Sequence, residues 1–293
     1  MKRSWFDGKQ ELGGKPKPLS GSDVLHAVRD IETNCGKTTK EREKKRAQTK
    51  KKDDKKESDC VQPWKKKSIF FNLPYWNALL LRHNLDVMHI EKNVCESFFC
   101  TLLDVKGKSK DGLKARKDLA EMRIRSELHA EDKGSHFYLP PASHTLSKDE
   151  KKIFCSSLQD LKLPDGYSSN IANCVSLQEC KLVGLKSHDC HVLFQQLLSV
   201  ALRELLPKGL RNAIFRMCSF FNQICQRVID RNKIEQLEND VAETLCIERF
   251  FAPSFFDIMV HLTIHIGREA CLCGPVQFCW MYPFERWNSF LRI

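Results

Sequence analysis

Four apolar stripes at helical spacing follow one another between Ser187 and Cys271, and they narrow the choice of fold sharply. Val192, Leu193, Leu197, Leu198, Ala201, Leu202 and Leu205 form the first, stopped by Pro207. Leu210, Ile214, Met217, Phe220, Phe221, Ile224 and Val228 form the second. The third runs from Ile234 to Ile247 with Leu237, Val241, Thr244 and Leu245 on one side. The fourth runs from Phe255 to Cys271 after Pro253-Ser254. Residues three and four apart share one helix face, so each stripe must bury itself against another. Four in succession predict a packed helical domain.

The region ahead of them is mixed. Leu79 to Val87 reads as a short buried strand with Asp86 near its C-terminal end. Ile90 to Leu103 reads as a helix, because Ile90, Val94, Phe98 and Leu102 recur every fourth residue. A single helix through the whole stretch is the competing assignment. Lys106 to Gly112 is a turn, and Leu113 to Leu128 a charged amphipathic helix. Residues 130–146 are irregular around Gly134 and Pro140-Pro141. Ser147, with Glu150 three residues later, predicts a capping box opening a helix through Leu161. LPDGYSSN, from Leu163, is a turn. No internal repeat is visible.

Charge divides the chain. Its 293 residues hold 48 Lys and Arg against 37 Asp and Glu, a net of +11. Residues 1–67 carry 20 basic and 11 acidic side chains, a net of +9, which leaves 28 and 26, a net of +2, for the rest. Between Ile31 and Val61 the only apolar residues are Cys35, Ala47 and Cys60. Such a segment cannot offset its ordering entropy and is expected to be a disordered basic linker. It serves either as a solvated tether or, through Lys44, Lys45, Arg46, Lys50, Lys51 and Lys52, as a nuclear-import or phosphate-binding tail. Trp64 beside Lys65, Lys66 and Lys67 adds a stacking surface to the charge.

Composition excludes other classes. With 29% charged residues and no apolar stretch of about eighteen residues, no membrane span is expected. MKRSWFDGKQ has no apolar h-region, so the chain is expected to be intracellular. The 14 cysteines contain no CxxC pair, which argues for reduced, buried thiols over a self-contained zinc finger. On the last stripe Asp257, His261, His265 and Glu269 follow at intervals of four, so they lie along one drifting face. His261 and His265 have the spacing of zinc ligands, or are two helix histidines paired with the flanking acids. In SHDCHVL, Cys190 with His188 or His191 offers a Cys–His nucleophile. The alternative is a polar helix start, capped by Ser187 and favoured by Asp189.

Several long strings are recognisable in order: SIFFNLPYW, HNLDVMHIEKNVCESFFCTLLDVKGKSKDGLKARKDLAEM, LPDGYSSN, GLKSHDCHVL, FFDIMVHLTIHI and GPVQFCWMYPFER. Together they resemble the transposase of plant CACTA (En/Spm-type) DNA transposons, from about Phe6 to the end. The C-terminal half, from about Leu163, resembles the domain of unknown function that such transposases carry. The resemblance implies nuclear strand cleavage and transfer at transposon ends by an acidic triad on a ribonuclease H-like fold. Two divalent cations roughly 4 Å apart perform such chemistry, and Mg²⁺ or Mn²⁺ wants carboxylate oxygens on rigid elements. Asp86, followed by His89 in D-x-x-H, looks like the second acid, and Glu285, with 198 residues between the two, looks like the third. From the residues alone Asp86 is equally a helix N-cap, and Glu285 a first-turn acid opposite a helix dipole.

The resemblance further implies that the family's first Asp and its CxxC pair precede the stretch matching Phe6. The metal pair is then expected to lack a ligand, the Zn²⁺ site at His261 and His265 to be half-built, and the chain to be inactive alone. The fold class that follows is mostly α within α+β. It consists of an incomplete ribonuclease H-like fragment, a large all-helical insertion and a disordered basic N-terminal segment. The expected divisions are 1–30, a short N-terminal segment; 31–67, the linker; 68–105, the strand-helix fragment; 106–275, the insertion; and 276–293, a truncated return to the catalytic helix. DNA is the expected partner, with a full-length transposase or a second copy beside it. The rival function is a noncatalytic DNA-binding or protein-interaction scaffold.

Overall fold

A computed structural model describes residues 13–14, 17–31, 66–162, 164, 171–247 and 251–281. The chain divides into two compact units, residues 11–83 and the stretch from Asn84 onward. In the first, Ser20 and Asp23 form a capping box at the start of α1 (Gly21–Ala27). Asp23 N–H donates to Ser20 Oγ at 3.1 Å, and Ser20 N–H donates to Asp23 Oδ2 at 2.8 Å. Gly21 lets a short 3-10 turn, Trp76–Ala78, come close, since a Cβ there would stand 2.1 Å from the Asn77 carbonyl oxygen. Trp76 stacks on Phe70 with ring centroids 4.7 Å apart.

The second unit is mostly helical, with two small antiparallel ladders among the described residues. Its first helix, α2 (Val87–Leu102), buries Val87, Ile90, Val94, Phe98 and Leu102. Next come α3 (Leu113–Met122) and a ladder of β1 (Glu131–Asp132) with β2 (Phe137–Tyr138), Glu131 opposite Tyr138. The Ser147–Glu150 capping box is present at the start of α4 (Lys148–Gln159). A second ladder pairs β3 (Val175–Ser176) with β4 (Lys181–Leu182). Then α5 (Ser187–Val192) passes through a π-helical turn, Leu193–Leu197, into α6 (Leu198–Ala201). The remaining stripes become α7 (Lys208–Ile224), α8 (Arg231–Ile247) and α9 (Ile258–Cys273).

Phe98 organises the core. Its ring lies 5.8 Å from Phe194, 5.6 Å from Phe251 and 4.9 Å from Phe255, so α2 meets the π turn and the approach to α9 at one aromatic cluster. Phe194 in turn contacts Phe221 of α7 at 5.5 Å. Helices α8 and α9 approach closely at Gly267, where an added Cβ would stand 2.4 Å from Glu238 Cγ. The described cysteines are free thiols. Burial pushes Cys100 and Cys155 up to about 11, as expected of small hydrophobes in a core. No described helix is long and apolar enough to cross a membrane.

The structure corrects three local expectations. Leu79 to Asp86 forms no strand, and Val87 already belongs to α2. Leu80 is 80% exposed, so the apolar run is not a buried core strand. The helix expected through Leu128 stops at Met122, because Arg123 adopts a left-handed conformation at φ 59°. There Ile124 N–H donates to the Leu119 carbonyl and Arg123 N–H to that of Ala120, a Schellman ending. The N-cap before α5 is Lys186, one residue ahead of Ser187. The charged run 32–65, most of LPDGYSSN and residues 282–293 lie outside the described residues.

Candidate functional site

Asp86 is the N-cap of α2, its Oδ1 accepting the backbone N–H of His89 at 3.3 Å. The D-x-x-H spacing is thus realised as a helix start, with the His89 side chain exposed. Beside it, Leu85 N–H donates to Glu269 Oε2 at 2.7 Å, which ties the approach to α2 onto α9. Glu285 lies outside the described residues, as do Lys44, Lys45, Arg46, Lys50, Lys51, Lys52, Trp64 and Lys65. Of the basic cluster, Lys66 is exposed and Lys67 half-buried.

The row along α9 is present, and its members have separate tasks. Asp257 caps the helix, its Oδ1 accepting from Met259 N–H at 3.0 Å and Val260 N–H at 3.2 Å. Its Oδ2 accepts from Lys110 Nζ at 2.7 Å. His261 and His265 are exposed, with rings edge to face at 5.1 Å and Nε2 atoms 3.3 Å apart. Among the described residues no third His, Cys, Asp or Glu joins this pair closely enough to complete a cation site.

SHDCHVL resolves into a helix start with one inward-facing histidine. Asp189 Oδ2 accepts the Lys186 N–H at 2.9 Å. Cys190 is fully buried, and burial holds the thiol of Cys95, beside it in the core, well above the usual range. Cys190 is therefore a core residue with no access to a substrate. His191 turns toward α2, where its Nδ1 lies 2.8 Å from Glu91 Oε2.

That contact opens a constellation the sequence reading missed. Glu91 is 1% exposed, and its Oε1 accepts from Gln195 Nε2 at 2.8 Å. Cys225, at the C-terminal cap of α7, completes a group in which carboxylate, imidazole and thiol donors lie within 4.8 Å of one another. The Trp280 ring stands edge-on to His191 at 5.8 Å. Burial pushes the Glu91 carboxyl above its ordinary range, against the opposing pull of His191 and Gln195. Burial, reinforced by Glu91, holds the Cys225 thiol well above its own. A thiol in that state is not a nucleophile, but the three atoms make a mixed oxygen, nitrogen and sulfur donor set. One local signal was available: Glu91 falls within the apolar stripe of Val87, Ile90 and Val94.

A second buried network is structural. Asp111 receives Arg116 Nε at 2.5 Å and Nη2 at 2.7 Å, while its Oδ2 lies 2.7 Å from His144 Nε2. Arg116 Nη1 also donates to the Leu128 carbonyl at 2.8 Å. All three side chains are almost wholly buried, so the Asp111 and Arg116 charges depend on each other for compensation.

Comparison with known families places part of this framework. The family described as a domain of unknown function (DUF4218) matches residues 224–293, and that domain is found on plant transposase-like proteins. The matched span begins at the end of α7 and takes in Cys225, α8, α9 and both exposed histidines. No curated protein and no solved structure matches the chain.

Proposed function

We propose that this chain derives from a CACTA-type transposase, contacts DNA in the nucleus, and does not cut it by itself. In this reading residues 68–105 are a fragment of the ribonuclease H-like domain and residues 106–275 its helical insertion. Asp86, His89 and Glu285 hold the ancestral positions around Mg²⁺ or Mn²⁺, and His261 and His265 an incomplete Zn²⁺ pair.

One observation carries the noncatalytic reading: the Asp86 carboxylate caps α2 and follows an irregular segment. Two-cation cleavage requires acids that converge from rigid elements. Descent from a transposase is supported by the six ordered strings and by the family match over residues 224–293. DNA contact is supported by the excess of 20 basic over 11 acidic residues in positions 1–67, since clustered Lys and Arg release counterions from a phosphate backbone. The test is retention of the full chain on DNA at increasing salt, beside a variant lacking residues 37–67. Salt-sensitive retention that disappears with the deletion is expected; equal retention of the two at low salt contradicts the proposal.

A further inference from the structure

Three helices bring three chemically different donors to one point. Glu91 comes from α2, His191 from α5 and Cys225 from the end of α7, with their ligand atoms within 4.8 Å of one another. We infer that Glu91, His191 and Cys225 bind a zinc ion that ties these helices together. A carboxylate, a thiolate and a neutral imidazole carry two negative charges, which a Zn²⁺ ion balances. The sulfur donor selects zinc over Mg²⁺ or Mn²⁺, which favour all-oxygen sites. A water completes the tetrahedron.

The surroundings suit an ion better than a bare ion pair. A glutamate 1% exposed is costly to hold charged on one half-buried histidine, and a cation would compensate it directly. Gln195 already holds the second carboxylate oxygen at 2.8 Å, and Trp280 flanks the imidazole. Such outer groups orient metal ligands and are part of most metal sites. The π-helical turn Leu193–Leu197 begins two residues after His191 and contains Gln195. Wide turns inserted into α-helices recur at functional sites, where they re-aim side chains. Binding displaces the Cys225 thiol proton, and that of Glu91 where present, to solvent; nothing is oxidised or reduced. The site shares no residue with Asp86 or with the His261–His265 pair, so it stands whether or not the transposase reading does.

The test uses the full chain. Purified without chelator, it is expected to carry roughly one zinc per chain, as a structural site does. After zinc removal, added Co²⁺ should give a near-ultraviolet thiolate-to-cobalt absorption band. That band should vanish in Cys225→Ser and persist in a His261→Ala, His265→Ala double variant, with circular dichroism confirming that both are folded. His191→Ala should lose the metal as well. A wild-type chain with neither zinc nor the cobalt band overturns the inference, and this outcome requires no variant to fold. Loss of the metal in the His261, His265 variant with retention in Cys225→Ser overturns it equally.

Discussion

Asp111 and Glu91 are both buried carboxylates whose neighbours send their titrations in opposite directions. Burial alone would raise Asp111, but the hydrogen bonds and charges of His144 and Arg116 outweigh it and hold the carboxyl below its ordinary range. A lowered folded value gives stability that is present above the ordinary aspartate range and is lost as pH falls through the lowered value. Asp111→Asn leaves the Arg116 guanidinium buried without its counter-charge. We expect it to cost about 3–5 kcal/mol near neutral pH, read as a fall in the urea midpoint. Glu91 behaves the other way, because burial raises it more than His191 and Gln195 lower it. In the metal-free chain, stability is full below the ordinary glutamate range and declines as pH rises through the raised value. Glu91→Gln should remove that decline, and unfolding midpoints measured across pH in chelator would show a flatter profile than wild type.

At the level of elements, helix starts and one helix crossing make separate claims. Because Asp86 caps α2, Asp86→Ala should lower stability by about 1 kcal/mol while Asp86→Asn costs little, since asparagine caps as well. Gly267→Ala forces a Cβ against Glu238 Cγ at 2.4 Å. It should destabilise the α8–α9 contact by about 1–3 kcal/mol, an effect that Glu238→Ala in the same chain should relieve. Denaturant unfolding of the single and double variants checks both. The same elements show what the sequence could reveal. The four stripes became α5–α6, α7, α8 and α9, apart from Val228, which lies past the end of α7 and is exposed, because their periodicity is a local consequence of burial on one face, and the Ser147–Glu150 box is equally local. Leu79 to Val87 misled because a dense apolar run does not show whether anything covers it. Arg123 ends α3 without the glycine that commonly marks a left-handed residue. Glu91 and His191 meet across 100 positions, a pairing created by helix packing and absent from any local pattern.

For the whole molecule, charge is distributed unevenly along the chain. Residues 1–67 hold a net of +9 and the remainder +2, so attraction to a polyanion concentrates ahead of the helical unit, whose stability comes from apolar packing around Phe98. The proposed function is a scaffold that holds DNA without cutting it, with Asp86 serving the helix and not a cation. Incubating the full chain and its Asp86→Ala variant with transposon-end DNA and Mg²⁺ or Mn²⁺ tests that claim most directly. Neither protein is expected to nick the DNA; cation-dependent nicking by the wild type that Asp86→Ala abolishes would contradict it.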